Sequence, residues 1–283
     1  FDATRRWGFK AFTVYNHMYM PLWFESPLAD YWKLVNDVTL WDVGVERQVE
    51  IAGPDALRFT QLLTPRDLSN CAVGQCKYVL LCDENGGIVN DPLLLRVAED
   101  RFWLSIADSD VLLWARGIAL NAGLDVTISE PDVSPLAVQG PKADELAARV
   151  FGEGVRELRF FRFGHFDFQG HPLLVARSGW SKQGGFEIYL DRPELGLALW
   201  DALMAAGRDL EVGPGCPNLI ERIEGGLLSY GNDMTRDNDP LEAGLARYCH
   251  LDRETGCLGL EALRRVAAEG PARLIRGLRL EME

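Results

Sequence analysis

The sequence lacks several features that define whole classes of proteins. No run of eighteen apolar residues occurs among the 283 residues, so no membrane-spanning helix is predicted. The six cysteines form no CxxC pair and no zinc-type spacing, and histidines number four, so we expect no protein-bound metal. Residues 1–12, FDATRRWGFKAF, contain no continuous apolar segment of the kind that secretory signals have. We therefore expect a cytoplasmic protein with reduced, buried thiols.

Positive charge is also scarce. Lysine and arginine number 29 against 42 acidic residues, which gives a net charge of −13. Binding to a phosphate backbone needs a basic face, so this balance argues against nucleic acid as a partner. It still allows a small anionic ligand held by a local arginine or lysine cluster. With 47% hydrophobic and 25% charged residues, the composition is typical of a globular protein with a large core.

One local plan occurs twice along the chain. Residues 45–63 (VERQVEIAGPDALRFTQLL) and 133–151 (VSPLAVQGPKADELAARVF) each contain an apolar strand, a Gly-Pro step and an amphipathic helix. Pro54 and Pro141 supply the fixed φ that suits a helix start. Two such units predict two related α+β lobes rather than a solenoid, which needs more repeats.

Several further segments have readable patterns. Residues 26–44 predict a helix capped by Ser26, and residues 76–97 predict a β-hairpin around the turn DENGG. TVYNHMYMPLWF, at residues 13–24, has no clean period, and either lines a pocket or packs as irregular core. Residues 216–231 predict a helix that contains Gly225 and Gly226, which we attribute to the close approach of another backbone or a ligand. ARLIRGLRLE, at residues 272–281, predicts a strand.

The stretch SGWSKQGGFEIYL, residues 178–190, is the first candidate for a binding site. Its glycine-rich turn runs into a strand in which Phe186, Ile188 and Leu190 share a core-facing side. Glu187 and Tyr189 share the other side, with Trp180 across the turn. A carboxylate between two aromatic residues suits a flat, nitrogen-rich ring. An ordinary half-exposed edge strand is the alternative.

Asp91 is the sharpest candidate for chemistry. It precedes Pro92, which favours extended backbone at an edge or bulge, and alternation places Asp91 on an apolar face. A carboxylate there is costly unless it is paired, protonated or used, and the alternative is a backbone hydrogen bond that closes the hairpin. Tyr78 falls opposite Asp91 if Cys82 pairs with Gly87, and a one-residue slip reverses its face. Arg222 either neutralises an anionic ligand or makes a surface ion pair.

Four separated motifs carry a family resemblance: GGIVNDP, SGWSKQGGFEIY, ERIEGGLLSYGND and DPLEAGL. Together they resemble the folate-dependent aminomethyltransferase family, of which the glycine-cleavage T proteins are members, over about residues 11–263. Motifs such as LTPRDLS and SYGNDMTRDN look most like the dimethylsulfoniopropionate demethylase branch. The resemblance implies an α+β fold of two intertwined α/β lobes, with a C-terminal β-barrel largely missing from this chain.

The resemblance also implies a domain organisation and a function. Residues 1–45 and 129–250 would form a discontinuous folate-binding lobe, and residues 46–128 a second lobe with the Asp91 hairpin. Residues 251–283 would be a linker helix and the first strand of a truncated barrel. The implied activity moves a methyl group from a small sulfonium donor, such as dimethylsulfoniopropionate, to N5 of tetrahydrofolate. The partners are then the donor and folate, without nucleic acid or membrane, and a homodimer is a candidate assembly.

Site residues follow from the resemblance. Asp91 would be the catalytic aspartate near the folate N5. The implied folate-binding residues are Tyr78, Trp180, Glu187 and Arg222, and Tyr15 and Tyr189 would lie toward the methyl donor. Tyr19 and Trp23 depart from the branch pattern and add bulk beside the donor pocket, so the donor could differ. The alternatives are aminomethyl transfer in glycine cleavage, with a lipoyl carrier protein as partner, and a non-catalytic folate-binding accessory protein.

Overall fold

The computed structural model describes residues 2–280. Eight α-helices are present in that range: α1 (Asp2–Arg6), α2 (Pro27–Asn36), α3 (Ala56–Leu63), α4 (Val111–Ala122), α5 (Ala143–Phe151), α6 (Gly196–Ala206), α7 (Leu219–Glu224) and α8 (Leu260–Glu269). Four short 3-10 helices lie at Glu153–Glu157, Pro193–Leu195, Arg208–Leu210 and Ala246–Tyr248.

Fifteen strands alternate with these helices over the described part of the chain. They are β1 (Ala11–Tyr15), β2 (Met18–Trp23), β3 (Thr39–Asp42), β4 (Gln48–Ala52), β5 (Gln75–Tyr78), β6 (Leu81–Cys82), β7 (Ile88–Asn90), β8 (Leu93–Ala98), β9 (Arg101–Ser105), β10 (Thr127–Ser129), β11 (Ser134–Gln139), β12 (Phe163–Phe168), β13 (His171–Ala176), β14 (Gly185–Leu190) and β15 (Gly213–Gly215).

The chain divides into two compact units, whose bounds differ from those of the predicted lobes. The first comprises Phe1–Arg47, Gly74–Cys76 and Pro131–Leu227, and the second Gln48–Val73, Lys77–Glu130 and Leu228–Glu283. The predicted first lobe included residues 228–250, which here group with the second unit. The reason is local bonding, since Ile88 N–H donates to Asn238 O at 2.9 Å and Arg236 pairs with Asp83 at 2.6 Å.

The first unit is built on a six-stranded sheet in the order β12-β13-β14-β11-β3-β15. One face of this sheet packs on α5 and α6 and forms a core that includes Val138, Leu146, Ile188 and Trp200. A smaller cluster contains Leu34, Trp41, Val43 and Ala137. β14 is therefore a central strand between β13 and β11, and the edge-strand alternative is wrong.

The second unit is built on a five-stranded sheet in the order β10-β4-β9-β8-β5. Its core contains Ile51, Phe59, Leu63, Phe102 and Leu104, with α3 and α4 packed on the strands. A separate cluster joins Leu80, Cys82 and Ile88 of the β6–β7 region to Met234, Ala243, Leu245 and Leu263. Ile88 of this cluster lies three residues before Asp91 in the sequence.

The repeated plan is confirmed in detail. In both copies the helix start is closed by one backbone pattern, in which Ala56 N–H donates to Gly53 O and Ala143 N–H to Gly140 O, each at 3.0 Å. The predicted helix at residues 26–44 is shorter than expected. It is capped as predicted, with Ala29 N–H donating to Ser26 Oγ at 3.1 Å, but ends at Asn36, and β3 follows.

Two segments differ from their predictions. Residues 13–24 lie mostly in the β1–β2 hairpin, whose two turn residues Asn16 and His17 have φ of 47° and 65°. The left-handed conformation of both residues matches a two-residue hairpin turn. The strand predicted at residues 272–281 is absent as far as Leu280, and Glu281 lies outside the described residues. That segment makes the backbone bond from Ile275 N–H to Glu242 O but belongs to no sheet.

No helix among residues 2–280 has the length and apolar character needed to cross a bilayer. Five of the six cysteines are buried, Cys249 is partly exposed, and all six are free thiols.

Candidate functional site

Glu187 is the centre of a buried polar cluster in the first unit. It lies in β14 opposite Ala137 of β11 and Ala176 of β13, and only 6% of its surface is exposed. Ser178 Oγ donates a hydrogen bond of 2.5 Å to Glu187 Oε2, and Tyr189 Oη lies 3.5 Å from the same oxygen. Burial raises the pKa of Glu187, and the two hydroxyl donors partly oppose that shift. The structure therefore joins two predicted site residues, Glu187 and Tyr189.

The turn between β13 and β14 is held from inside by Gln139. Gln139 Nε2 donates to Ser178 O at 3.1 Å, and Ser181 Oγ donates to Gln139 Oε1 at 2.7 Å. A Cβ added at Gly179 would lie 2.0 Å from Gln139 Nε2, so the amide of Gln139 occupies the space that a side chain there would need. This packing fixes both ends of the turn that carries Trp180, which is partly buried.

Helix α7 holds the tip of the same turn. Glu221 Oε1 accepts from Lys182 N–H at 2.7 Å and from Gln183 Nε2 at 3.1 Å. Its neighbour Arg222 has 8% of its surface exposed, so the surface-ion-pair alternative for Arg222 is wrong. The role of Arg222 toward folate stays a prediction.

The two glycines after α7 end the helix rather than lie inside it. Gly226 has φ of +66°, and Leu227 N–H donates to Arg222 O at 2.8 Å, which is the hydrogen bond of a left-handed helix C-cap. At Gly225 a Cβ would meet Lys182 Cγ at 2.6 Å. The expected close approach is therefore made by a side chain of the turn.

Asp91 forms the corresponding site of the second unit. Tyr78 Oη donates a hydrogen bond of 3.0 Å to Asp91 Oδ2. The Cys82–Gly87 pairing that would place Tyr78 opposite Asp91 does not occur: Cys82 pairs with Ile88, and the register shifts so that Leu81 pairs with Asn90. Tyr78 nevertheless reaches Asp91 through its hydroxyl group. The carboxylate of Asp91 is therefore hydrogen-bonded to a tyrosine hydroxyl, which is one of the ways expected to offset the cost of placing it on an apolar face.

The surroundings of Asp91 favour its neutral form. Burial raises the pKa of Asp91 to about 7, the Tyr78 hydrogen bond opposes this shift, and the charge of Asp233 adds to it. Burial and the negative charge of Asp91 in turn raise the pKa of Tyr78 and of Tyr230. A carboxyl group that titrates near neutral pH can take up or release a proton under physiological conditions.

Tyr248 completes the aromatic surface beside this pair. Its ring meets that of Tyr78 edge to face, with 4.9 Å between centroids. The guanidinium groups of Arg66 and Arg247 lie 5.2 Å and 4.7 Å from the Tyr248 centroid. Neither Tyr248 nor Arg66 was among the site residues predicted from the sequence, and their only signals were the LTPRDLS motif and an aromatic residue shortly after DPLEAGL.

Tyr15 lies at the end of β1, next to the turn of the hairpin. The following residue, Asn16, is buried, and its Nδ2 donates to Val45 O at 2.9 Å. Tyr15 is therefore at an anchored position of the first unit. The roles of Tyr15 and Tyr189 toward a methyl donor, and the joint action of Asp91 and Glu187 on one ligand, stay predictions.

Comparison with known proteins now gives the family. The profile of the GCVT N-terminal domain matches residues 1–253. The chain belongs to this family. Within the GCVT family, it is 57% identical over 96% of its length to the dimethylsulfoniopropionate demethylase DmdA of Ruegeria pomeroyi, of which it covers 74%. It is 34% identical over 92% of its length to an aminomethyltransferase of Lysinibacillus sphaericus, of which it covers 72%.

A solved structure agrees with this placement in the GCVT family. The glycine cleavage system aminomethyltransferase T from Bartonella henselae superposes with a TM-score of 0.85 and 26% identity, over 96% of this chain and 75% of that one. The family resemblance and the α+β fold class predicted from the sequence are confirmed.

Proposed function

We propose that this protein transfers a methyl group from a small sulfonium donor, such as dimethylsulfoniopropionate, to N5 of tetrahydrofolate. The observation that carries this proposal is the 57% identity to a protein named as a dimethylsulfoniopropionate demethylase, which extends over 96% of the chain. Three aminomethyltransferase relatives are 30–34% identical to it over 92% of this chain. The folate is a substrate in this reaction, as the acceptor of the methyl group.

The reaction breaks one bond and forms one. The sulfur–methyl bond is cleaved, the sulfur keeps the electron pair and becomes a neutral thioether, and N5 forms the new carbon–nitrogen bond. N5 then carries a positive charge until its proton leaves. Holding the nitrogen, carbon and sulfur nearly in line could contribute about 7–11 kcal/mol to catalysis.

Asp91 is the proposed group that receives the N5 proton or stabilises the charge. Its pKa of about 7 leaves a large fraction ionised at neutral pH, and its proton can be released again after each turnover. Tyr78 orients the carboxyl group through the 3.0 Å hydrogen bond. In this proposal the tyrosine fixes the position of Asp91 and lines the folate site.

Glu187 and Arg222 are the proposed recognition groups for the folate. A pterin ring presents N–H donors, and a buried carboxylate such as Glu187 is a suitable acceptor for them. Arg222 is buried in the same unit, and Trp180 lies in the turn that Gln139 fixes. The donor-side roles proposed for Tyr15 and Tyr189 rest on sulfonium chemistry, because a fixed cation without N–H groups is stabilised by aromatic faces, by about 0.5–2 kcal/mol each.

The proposal includes the cytoplasm as the location of the protein. Six free thiols, five of them buried, support a reducing compartment. The homodimer stays a prediction.

The direct test incubates the protein with tetrahydrofolate and dimethylsulfoniopropionate and measures 5-methyltetrahydrofolate and methylmercaptopropionate by mass spectrometry. We expect both products in equal amounts. A second arm supplies an aminomethylated lipoyl carrier protein, and formation of 5,10-methylenetetrahydrofolate there, without demethylation, would replace the proposal by aminomethyl transfer. Folate binding without turnover in either arm would favour an accessory role.

A further inference from the structure

The strongest unexplained feature is a pair of arginines without counter-ions beside the Asp91 site. Arg66 and Arg247 both lie against the ring of Tyr248, so their Cζ atoms are no more than about 10 Å apart. Neither guanidinium pairs with a carboxylate within residues 2–280. Two neighbouring cations repel one another, so an unpaired arginine pair is electrostatically unfavourable. The chain contains 42 acidic residues against 29 basic ones, yet none of these carboxylates within residues 2–280 pairs with Arg66 or Arg247.

The position of Arg66 is fixed by neutral groups. Its Nη1 donates a short hydrogen bond to Tyr78 O, and its guanidinium packs on Tyr248. The adjacent carboxylate, Asp67, is used elsewhere, because it pairs with Arg253 and accepts from Ser69 N–H at 2.9 Å. Arg66 is therefore held in place by uncharged groups, and the carboxylate of Asp67 pairs with Arg253 instead of with Arg66.

Two nitrogen atoms of the Arg66 guanidinium have no hydrogen-bond acceptor among residues 2–280. The Nε atom is buried and has no hydrogen-bond partner among the described residues. The Nη2 atom also has no acceptor in that range but is not among the buried atoms, so it reaches the surface. Burial removes part of the Arg66 guanidinium from water and so lowers its pKa. An anion at Nη2 would offset that cost.

The location of the pair connects it with the reaction. Tyr248 packs against Tyr78 at 4.9 Å, and Tyr78 donates to Asp91. Both proposed substrates carry carboxylates: the propionate group of the donor, and the glutamate tail of the folate. A guanidinium fork matches the two oxygens of a carboxylate.

We propose that Arg66 and Arg247 form a carboxylate-binding subsite, referred to as the Tyr248 arginine pair, that receives the anionic end of one of the two substrates. This inference rests on the proposed function for the identity of its ligand. Arg66 is the principal contact because it is fixed and partly desolvated, and Arg247 is more exposed and contributes less.

The test measures binding by titration calorimetry, separately for dimethylsulfoniopropionate and for tetrahydrofolate. The variants are Arg66→Gln, Arg247→Gln and, as a control, Arg58→Gln. Arg58 lies in α3 with 72% of its side chain exposed and pairs with Asp55, so its loss removes the same charge away from Tyr248. We expect Arg66→Gln to raise one Kd roughly ten- to a hundredfold and Arg247→Gln to raise the same Kd about threefold.

The two sources of the carboxylate give different results. An effect confined to dimethylsulfoniopropionate identifies the donor, and an effect confined to tetrahydrofolate identifies the glutamate tail. Unchanged values for both ligands in both variants, matching Arg58→Gln, would overturn the subsite. A merely structural role would instead weaken both ligands together and lower the melting temperature.

A second measurement uses the unmodified protein in case the variants fail to fold. It compares dimethylsulfoniopropionate with its methyl ester, and tetrahydrofolate with the diamide of its glutamate tail, so that the carboxylate charge is removed in each pair. Equal affinity within both pairs contradicts the proposal. Because these are binding measurements, arginine-dependent binding without methyl transfer would reject the proposed function and leave the subsite standing.

Discussion

Asp91 and Glu187 are both carboxylates with raised pKa values, but the fold surrounds them differently. Glu187 lies in a central strand, with 6% of its surface exposed, and receives hydroxyl hydrogen bonds from Ser178 and Tyr189. Asp91 follows a two-stranded ladder at a register shift, beside a proline, with one tyrosine donor and a second carboxylate nearby. The central position favours a rigid acceptor for recognition, and the irregular position favours a group that exchanges protons.

We expect the largest effect when the charge of Asp91 is removed, and this change should separate the two roles. Asp91→Asn keeps an acceptor for Tyr78 but cannot take a proton, so methyl transfer should fall by about tenfold or more while folate binding persists. Single-turnover kinetics and folate titration measure the two quantities. Asp252→Asn, on an exposed part of the same unit, is the matched control. An unchanged rate would remove Asp91 from the mechanism.

The reverse pattern is expected at Glu187. Glu187→Gln retains an oxygen for Ser178 but removes the charge that accepts from the pterin, so the Kd for tetrahydrofolate should rise roughly tenfold. Fluorescence titration measures this, with the exposed Glu194→Gln as control. If Glu187→Gln lowers the rate at saturating folate and leaves the Kd unchanged, the assignment of recognition to Glu187 is wrong.

Stability gives a smaller effect with a defined sign. The pKa of Asp91 rises on folding from 3.8 to about 7, so the folded state binds more protons than the unfolded state between these values. Its ionisation therefore lowers the free energy of unfolding progressively as pH rises through that range. Asp91→Asn should stabilise the protein by about 2.6 kcal/mol more at pH 8 than at pH 5. Urea denaturation at both pH values, with Asp252→Asn alongside, tests this, and equal effects at both would contradict the raised pKa.

The smallest expected effect concerns the tyrosine hydroxyl. The Tyr78 hydrogen bond lowers the pKa of Asp91, so Tyr78→Phe should move the rising limb of the pH–rate profile upward from about 7 by roughly one pH unit. Tyr31→Phe is a suitable control, because Tyr31 donates to Glu224 in the other unit. A shift toward lower pH would show that Tyr78 stabilises the neutral acid instead.

The sequence predicted the faces of β14 but not its position in the sheet. Alternation correctly placed Phe186, Ile188 and Leu190 in the core, opposite Glu187 and Tyr189. Whether the second face meets solvent or protein depends on β11 and β13, which flank the strand at distant positions in the sequence. The alternation of side chains along one strand does not show which strands pair with it, so the sequence left an edge position for β14 open.

The contact between Tyr78 and Asp91 shows a second limit. Both residues were identified from their types and spacing, yet the hairpin has a register shift between Leu81 and Cys82, and the contact forms without the Cys82–Gly87 pairing that would place the two residues opposite each other. A shift of that kind is set by packing on both sides of the hairpin rather than by the residues themselves. The β1–β2 hairpin was missed for a related reason, since Asn-His is a weaker turn signal than Asn-Gly.

The attachment of the β13–β14 turn to Gln139 has a consequence for engineering. Because Ser178 and Ser181 are both fastened to one buried amide, Trp180 lies between two fixed points, and Gly179 beside it has no room for a side chain. Exchanging Trp180 alone should therefore change the surface of the turn while its backbone stays in place. Variants at this one position are a compact library in which to seek new ligand preferences.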